Sequence, residues 1–257
     1  MQSAQPAARP GETEEQHGRR LLNEMVAALG GQAWLNKQTV TIEGQTASFF
    51  QSQPTGSVVR FFEQQRFAQA GKPELTRVAF LTVRGMIAPG MKKDIVHLWT
   101  ADQGYEYTYK GRVPLPQDVV TDYFRRQKHS IEEVMHTWLQ APGVIVLYAG
   151  IGTRDRHQVE KVTVLSANND AVTIELDADT HLPLDRHFKW RNEQFHDYDR
   201  DDEDYGDWRA YQGIETPMNI TRYHNSDMVD QIFYTKVTFN LPMSDDLFDA
   251  DRIKVQK

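Results

Sequence analysis

The sequence predicts a β-rich α+β fold: an antiparallel sheet with a few helices packed on one side. Three observations carry this. The last third is a succession of strand-like runs, 170–177 (DAVTIELD), 181–191 (HLPLDRHFKWR), 208–223 (WRAYQGIETPMNITRY) and 230–239 (DQIFYTKVTF). Turn chemistry separates them: Asp-Ala-Asp-Thr at 177–180, Gln-Gly at 212–213 and Asn-Ser-Asp at 225–227. One face of each run is apolar and the other polar, the signature of an antiparallel meander. Helical periodicity occurs in only two places, too few for a parallel sheet of βαβ units.

The first helix is predicted over 14–29, where Leu21, Leu22, Met25, Val26 and Leu29 recur at helical spacing. Thr13 and Gln16 form a capping box, and Gly30-Gly31 ends the helix. A short turn follows, bringing Trp34 and Leu35 back onto the core. Strands are then expected at 39–51 and 57–69, around a turn at Gln53-Pro54-Thr55-Gly56. Another is expected at 76–84, followed by a loop at 85–91. A hairpin at 93–100 and 105–110 turns at 101–104, and Tyr105, Tyr107 and Tyr109 alternate onto one face.

The second helical region spans 116–140, started by Pro116 and stopped by Ala141-Pro142-Gly143. Its apolar groups, Val119, Val120, Tyr123 and Phe124, then Ile131, Val134, Met135, Trp138 and Leu139, are split by RRQKHS. That predicts two helices or one kinked one. Strands at 144–153 and 157–165 lead into the closing meander. No linker or internal repeat divides the chain, so one domain over 14–257 is expected, after a disordered leader at 1–13 rich in Ala, Pro, Gln and Glu.

Composition removes several function classes. The net charge is −7 over 257 residues, with no basic stripe of the kind nucleic acid or an anionic membrane surface demands. There is no cysteine, which removes disulfides, thiolate metal sites and thiol nucleophiles. No run approaches the roughly 20 apolar residues of a membrane span. The leader lacks an apolar signal core and suits a secreted chain whose signal peptide has been removed.

No GxSxG, HExxH, Walker or GxGxxG signature is present. Three constellations carry residue types that chemistry could use. Asp197, Asp199 and Asp201 open an acidic stretch with the alternation of a calcium loop. However, Asp202 occupies the glycine position and Trp208 the terminal Glu position, so a solvated acidic loop is the favoured reading. His129, Glu133 and His136 would share one face of a continuous helix, a partial zinc set set against a polar helix face. His181, Asp185 and His187 could supply a base and its orienting group, set against the polar side of a half-exposed strand.

Aromatic residues are spread over successive strands, and the adjacent pairs Phe49-Phe50 and Phe61-Phe62 place one on each face. A curved sheet with an apolar concave side beneath a helical cover would use both faces.

The order of the segments LGGQAWL, TVTIEG, IVHLWTADQGYEYTY, LDADTHLPLDRHFKW, WRAYQGIETPMNITRY and VTFNLPMSDDLFD resembles the periplasmic lipoprotein-carrier superfamily (LolA/LolB-like), in its outer-membrane lipoprotein-sorting form. The resemblance runs from about Leu21 to Phe248. It implies an incomplete antiparallel β-barrel whose concave face, closed by helices, holds acyl chains or another apolar ligand. It further implies a periplasmic or secreted setting, no cofactor and no catalytic residues. The true carriers also use a strand arginine, for which Arg60 is a candidate and no more.

The function expected is non-enzymatic binding or transport of a lipid, acyl chain or lipoprotein in the bacterial cell envelope. Its expected apolar lining is Phe61, Leu98, Tyr105, Tyr107, Val146, Tyr148 and Ile174 from strands, with Met135, Trp138 and Leu139 from the lid. A hydrophobic small molecule is then the partner, together with an envelope protein partner. The rival readings are an envelope interaction module without a cavity and a metal-dependent hydrolase.

Overall fold

The computed structural model describes residues 9, 11–69, 72–81, 94–253 and 255. Most of the expected leader and the loop expected at 85–91 lie outside them. Thirteen strands form one sheet: β1 (Thr39–Phe50), β2 (Gln53–Arg66), β3 (Leu75–Leu81), β4 (Asp94–Trp99), β5 (Gly104–Thr108), β6 (Gly111–Pro114), β7 (Ile145–Arg154), β8 (His157–Leu165), β9 (Ala171–Asp177), β10 (Pro183–Asn192), β11 (Asp197–Tyr211), β12 (Ile214–His224) and β13 (Asp227–Phe239). Their spatial order is β6-β5-β4-β3-β2-β1-β13-β12-β11-β10-β9-β8-β7, and every pairing is antiparallel.

The chain thus runs outward from the centre to β6, crosses to the far end, and returns from β7 to the centre. There β13 pairs with β1. The sheet is curved and unclosed, with β6 and β7 as its free ends. Helices α3 (Gln117–Lys128) and α4 (Ile131–His136) make the crossing, as the incomplete barrel with a helical cover requires.

Helix α1 (Glu14–Leu29) carries the expected capping box between Thr13 and Gln16. Gly30 ends it at φ +121°, where a Cβ would stand 2.2 Å from the Gly213 carbonyl oxygen in the β11–β12 turn. Only glycine allows that approach. At the other end of the helix, Gly18 lies against Val146, Leu147 and Tyr148 of β7. Helix α1 therefore spans one half of the sheet. Its Leu21, Leu22 and Met25 join Val146, Val162, Val164, Val172, Ile174 and Phe188 in one core. The short helix α2 (Gln32–Leu35) returns Trp34 to that core, where it stacks on His136 at 5.8 Å.

Two sequence expectations shift, and a third, two helices or one kinked one, resolves to two helices. The β1–β2 turn is not 53–56 but Gln51-Ser52, at φ +49° and +59°. Two left-handed residues are what a tight type I′ hairpin needs, and the twist of the flanking strands favours it. The 116–140 region breaks at His129, because Ser130 caps α4 through the Glu133 N–H. The acidic 197–207 stretch is no loop but the first part of β11, hydrogen-bonded to β10 and β12 on its two sides.

Candidate functional site

The strand register sorts the side chains onto two faces. Phe61 pairs with Gly44 and Phe80, and Glu63 with Ile42 and Val78. Across the centre, Gly44 pairs with Tyr234, Ile232 with Ile220, and Arg222 with Glu203, which pairs with Arg186. Residues 186 and 188 share a face, so all of these point the same way as Phe188 and the core. This is the face the helices cover. A bulge between Glu43 and Gly44 keeps the alternation in phase. A Cβ on Gly44 would meet the Phe61 ring at 2.6 Å.

The opposite face carries Val96, Leu98 and Tyr107, clustered with Phe248 and flanked by Tyr105, Met243 and Leu247. The segment after β13 covers them. Tyr107 donates to the Ala250 carbonyl at 2.8 Å, and Arg66 holds Asp245 at 2.7 Å. Of the expected lining, then, Leu98, Tyr105 and Tyr107 lie on the face away from α3 and α4. Phe61, Val146, Ile174, Met135 and Trp138 lie together in the helix-covered core, with Tyr148 and Leu139 packed at its margin. Period-2 alternation assigns residues of one strand to a common face but does not say which face, and β4 and β5 fell the other way. Arg60 is adjacent to Phe61 and so points away from the concave face.

The concave face is only partly apolar. Beneath α3 lies an ionic layer whose centre is Glu203. Its carboxylate accepts from Arg222 Nε at 2.9 Å and from the Tyr205 hydroxyl at 2.9 Å, and Arg186 Nη2 approaches to 2.6 Å. Burial opposes this charge, but Arg186 and Arg222 overcome it and hold the carboxyl well below the usual range. Nearby, burial pushes Glu63 up to about 7, with Glu74 adding to it against the pull of Arg222. Burial likewise pushes Glu74 up to about 7. Lys37 ties α2's end to α4 through Glu132 at 2.9 Å.

Between α3 and the ends of β10–β13 lies a cavity of about 290 Å³. Asp122 and Arg126 of α3 line it from above. Trp190, Asp201, Glu203, Arg222, His224 and Asp230 line it from the sheet. Among the described residues the Arg126 side chain has no hydrogen bond or ion pair, and burial followed by the Arg222 charge lowers its pKa. Sequence reading missed this layer, because its members are single charges on separate strands brought together only by register.

The three constellations fare differently. His129 caps α3 rather than sharing a helix with Glu133 and His136. Its Nδ1 lies 2.7 Å from the Arg125 carbonyl oxygen, its ring stacks on Phe188 at 4.1 Å, and burial lowers its pKa. It is a core imidazole. Asp201 pairs with His224 at 2.9 Å, while Asp199 accepts from Asn192 and Asn225. In a strand, alternate acids diverge to neighbouring partners instead of converging on one ion. Asp185 and His187 do meet, Nδ1 to Oδ1 at 2.5 Å, with Glu175 beside them on the convex face. Arg154 holds Glu175 at 2.9 Å, Asp204 at 2.7 Å and Asp185 at 3.5 Å, and Lys161 holds Glu175 at 2.7 Å. The carboxylates that could ligate a metal are thus bound to internal cations. His181 is separate, near Glu160.

Compared by sequence, the chain matches no family model and no curated protein. Solved structures match it along nearly its whole length. A DUF1329 family protein from Desulfovibrio piger superposes with a TM-score of 0.61 at 13% identity, over 94% of this chain and 99% of that one. A domain assigned as an outer membrane lipoprotein-sorting protein, from Vibrio parahaemolyticus, gives 0.57 at 9% identity, over 92% and 98%. A LolA superfamily protein from Nitrosomonas europaea gives 0.52 at 11% identity, over 92% and 99%. The fold is LolA-like. At these identities the likeness concerns the architecture alone, the half-barrel and the helices that cross its opening. Among the described residues, no helix is long and apolar enough to cross a membrane.

Proposed function

We propose that this chain is a non-catalytic binder or carrier of a hydrophobic ligand, a lipid or acyl chain, in the bacterial cell envelope, with α3 as the movable part of the cover. The observation that carries the reading is the seating of α3. It spans the opening between two free sheet ends, buries only Val120 fully, and stands over a cavity. A helix held by Val120 and by the half-buried rings of Tyr123 and Phe124 against Trp99 opens at lower cost than α1, which has seven buried residues.

Opening α3 would give a chain access to the Phe61 side of the concave face and to Trp190. Val146, Tyr148, Ile174, Met135, Trp138 and Leu139 then form the packed end against which the ligand stops. Burial of apolar surface at ~25 cal/mol per Å² would provide the affinity. An envelope setting fits the likeness of the fold to the outer membrane lipoprotein-sorting domain.

Native mass spectrometry tests the reading. Protein purified without detergent, or exposed to a bacterial lipid extract and then desalted, is expected to carry an additional lipid mass. A protein that carries none and gains none overturns the carrier reading in favour of an interaction module.

A further inference from the structure

We propose that the cavity under α3 is an anion-binding site, taking the carboxylate or phosphate group of an amphiphile between Arg126 and Arg222; this rests on the carrier reading above. The argument is a count of donors. Two guanidiniums, Arg126 and Arg222, line the cavity together with one strongly ionised carboxylate, Glu203, which Arg222 shares with Arg186 beside the cavity. The other acids at the cavity are already engaged: Asp201 with His224, Asp230 with Ser48, and Asp122 with Arg125. Asp202 is taken by Arg200.

Donors are left over. Arg186, 1% exposed, has Nε and Nη1 buried without a hydrogen-bond partner. The Arg126 guanidinium has neither a hydrogen bond nor an ion pair among the described residues, and it stands on the helix that would move. Buried donors without acceptors are costly, and guanidinium forks match carboxylate and phosphate oxygens. An anionic head drawn to Arg126 and Arg222 supplies an acceptor for Arg126, the guanidinium of the lining that lacks one, and leaves its chain against Trp190 and the concave face. It would also pull α3 down, so binding and closure are one event.

Isothermal titration of the full chain with oleate, with monoolein as the uncharged counterpart, and with inorganic phosphate tests this. Oleate is expected to bind at least about tenfold more tightly than monoolein, and Arg126→Ala to remove that preference, the size expected for one charge-assisted contact. Arg126→Lys should restore part of it. Equal binding of oleate and monoolein, unchanged in Arg126→Ala, overturns the anion site and leaves the carrier reading standing. Phosphate binding that Arg126→Ala abolishes, without binding of either lipid, supports the anion site and overturns the carrier reading. Binding of none of the three overturns both.

Discussion

The Trp99 and Tyr123 rings stack face to face, 3.7 Å apart and 4° from parallel. This contact joins α3 to β4, and Phe124 adds an edge contact to the same indole. Since α3 buries so little else, the stack is the chief apolar tie between the cover and the N-terminal half of the sheet.

Tyr123→Ala should therefore loosen the cover while leaving the core in place. A stacked aromatic pair contributes about 1 kcal/mol beyond its area. Amide hydrogen exchange in 117–128 is expected to speed up by about fivefold to tenfold, with exchange in α1 unchanged. Equal acceleration in both helices would show that α3 is no separate unit.

The closing meander was legible because its turns and alternation are local, and α1 because its cap, periodicity and terminal glycines agree. The ionic layer was not. Glu63, Arg186, Glu203 and Arg222 each look like the polar side of a strand, and only the register of β10–β13 and β1–β2 brings them together inside. The acidic stretch at 197–207 misled for the same reason. Its counter-charges, Arg154, Arg222 and His224, lie 19 to 50 residues away. Leu98, Tyr105 and Tyr107 were correctly read as strand residues, but their cover, Phe248 and its neighbours, follows the last strand and leaves no periodic trace.

Gly30→Ala tests how firmly α1 is docked. The added Cβ meets backbone, the Gly213 carbonyl at 2.2 Å, and the φ of +121° disfavours any side chain. Both effects act against the folded state, so a loss of more than about 1 kcal/mol is expected. Gly31→Ala has open space around it and should cost less. Chemical denaturation of the two variants gives the comparison.

The pH dependence follows from Glu63, Glu74 and Asp204. In the folded protein burial pushes each up to about 7, while the unfolded values are 4.5 for Glu and 3.8 for Asp. The folded state thus holds these protons more tightly, so their effect on stability worsens as pH rises from about 4 to 7 and is constant above. Glu63→Gln cannot ionise. Its melting temperature is expected to exceed that of the wild type at pH 8 and to match it near pH 4. A difference independent of pH would contradict the assignment.

Glu203 has the opposite sign. Its folded carboxyl lies below the unfolded value, so its contribution is present above about pH 4.5 and is lost only in strong acid. Glu203→Gln at pH 7 removes the anion that Arg186 and Arg222 share and leaves their charges buried. Breaking such a pair costs about 3–5 kcal/mol. Replacing the partner as well should recover part of that loss, because the penalty is the uncompensated charge and not the missing attraction. The double variant Glu203→Leu with Arg186→Met is expected to be more stable than Glu203→Leu alone. A cycle of equilibrium unfolding free energies measures the coupling. Additive losses would mean that the two residues act independently, despite the 2.6 Å between them.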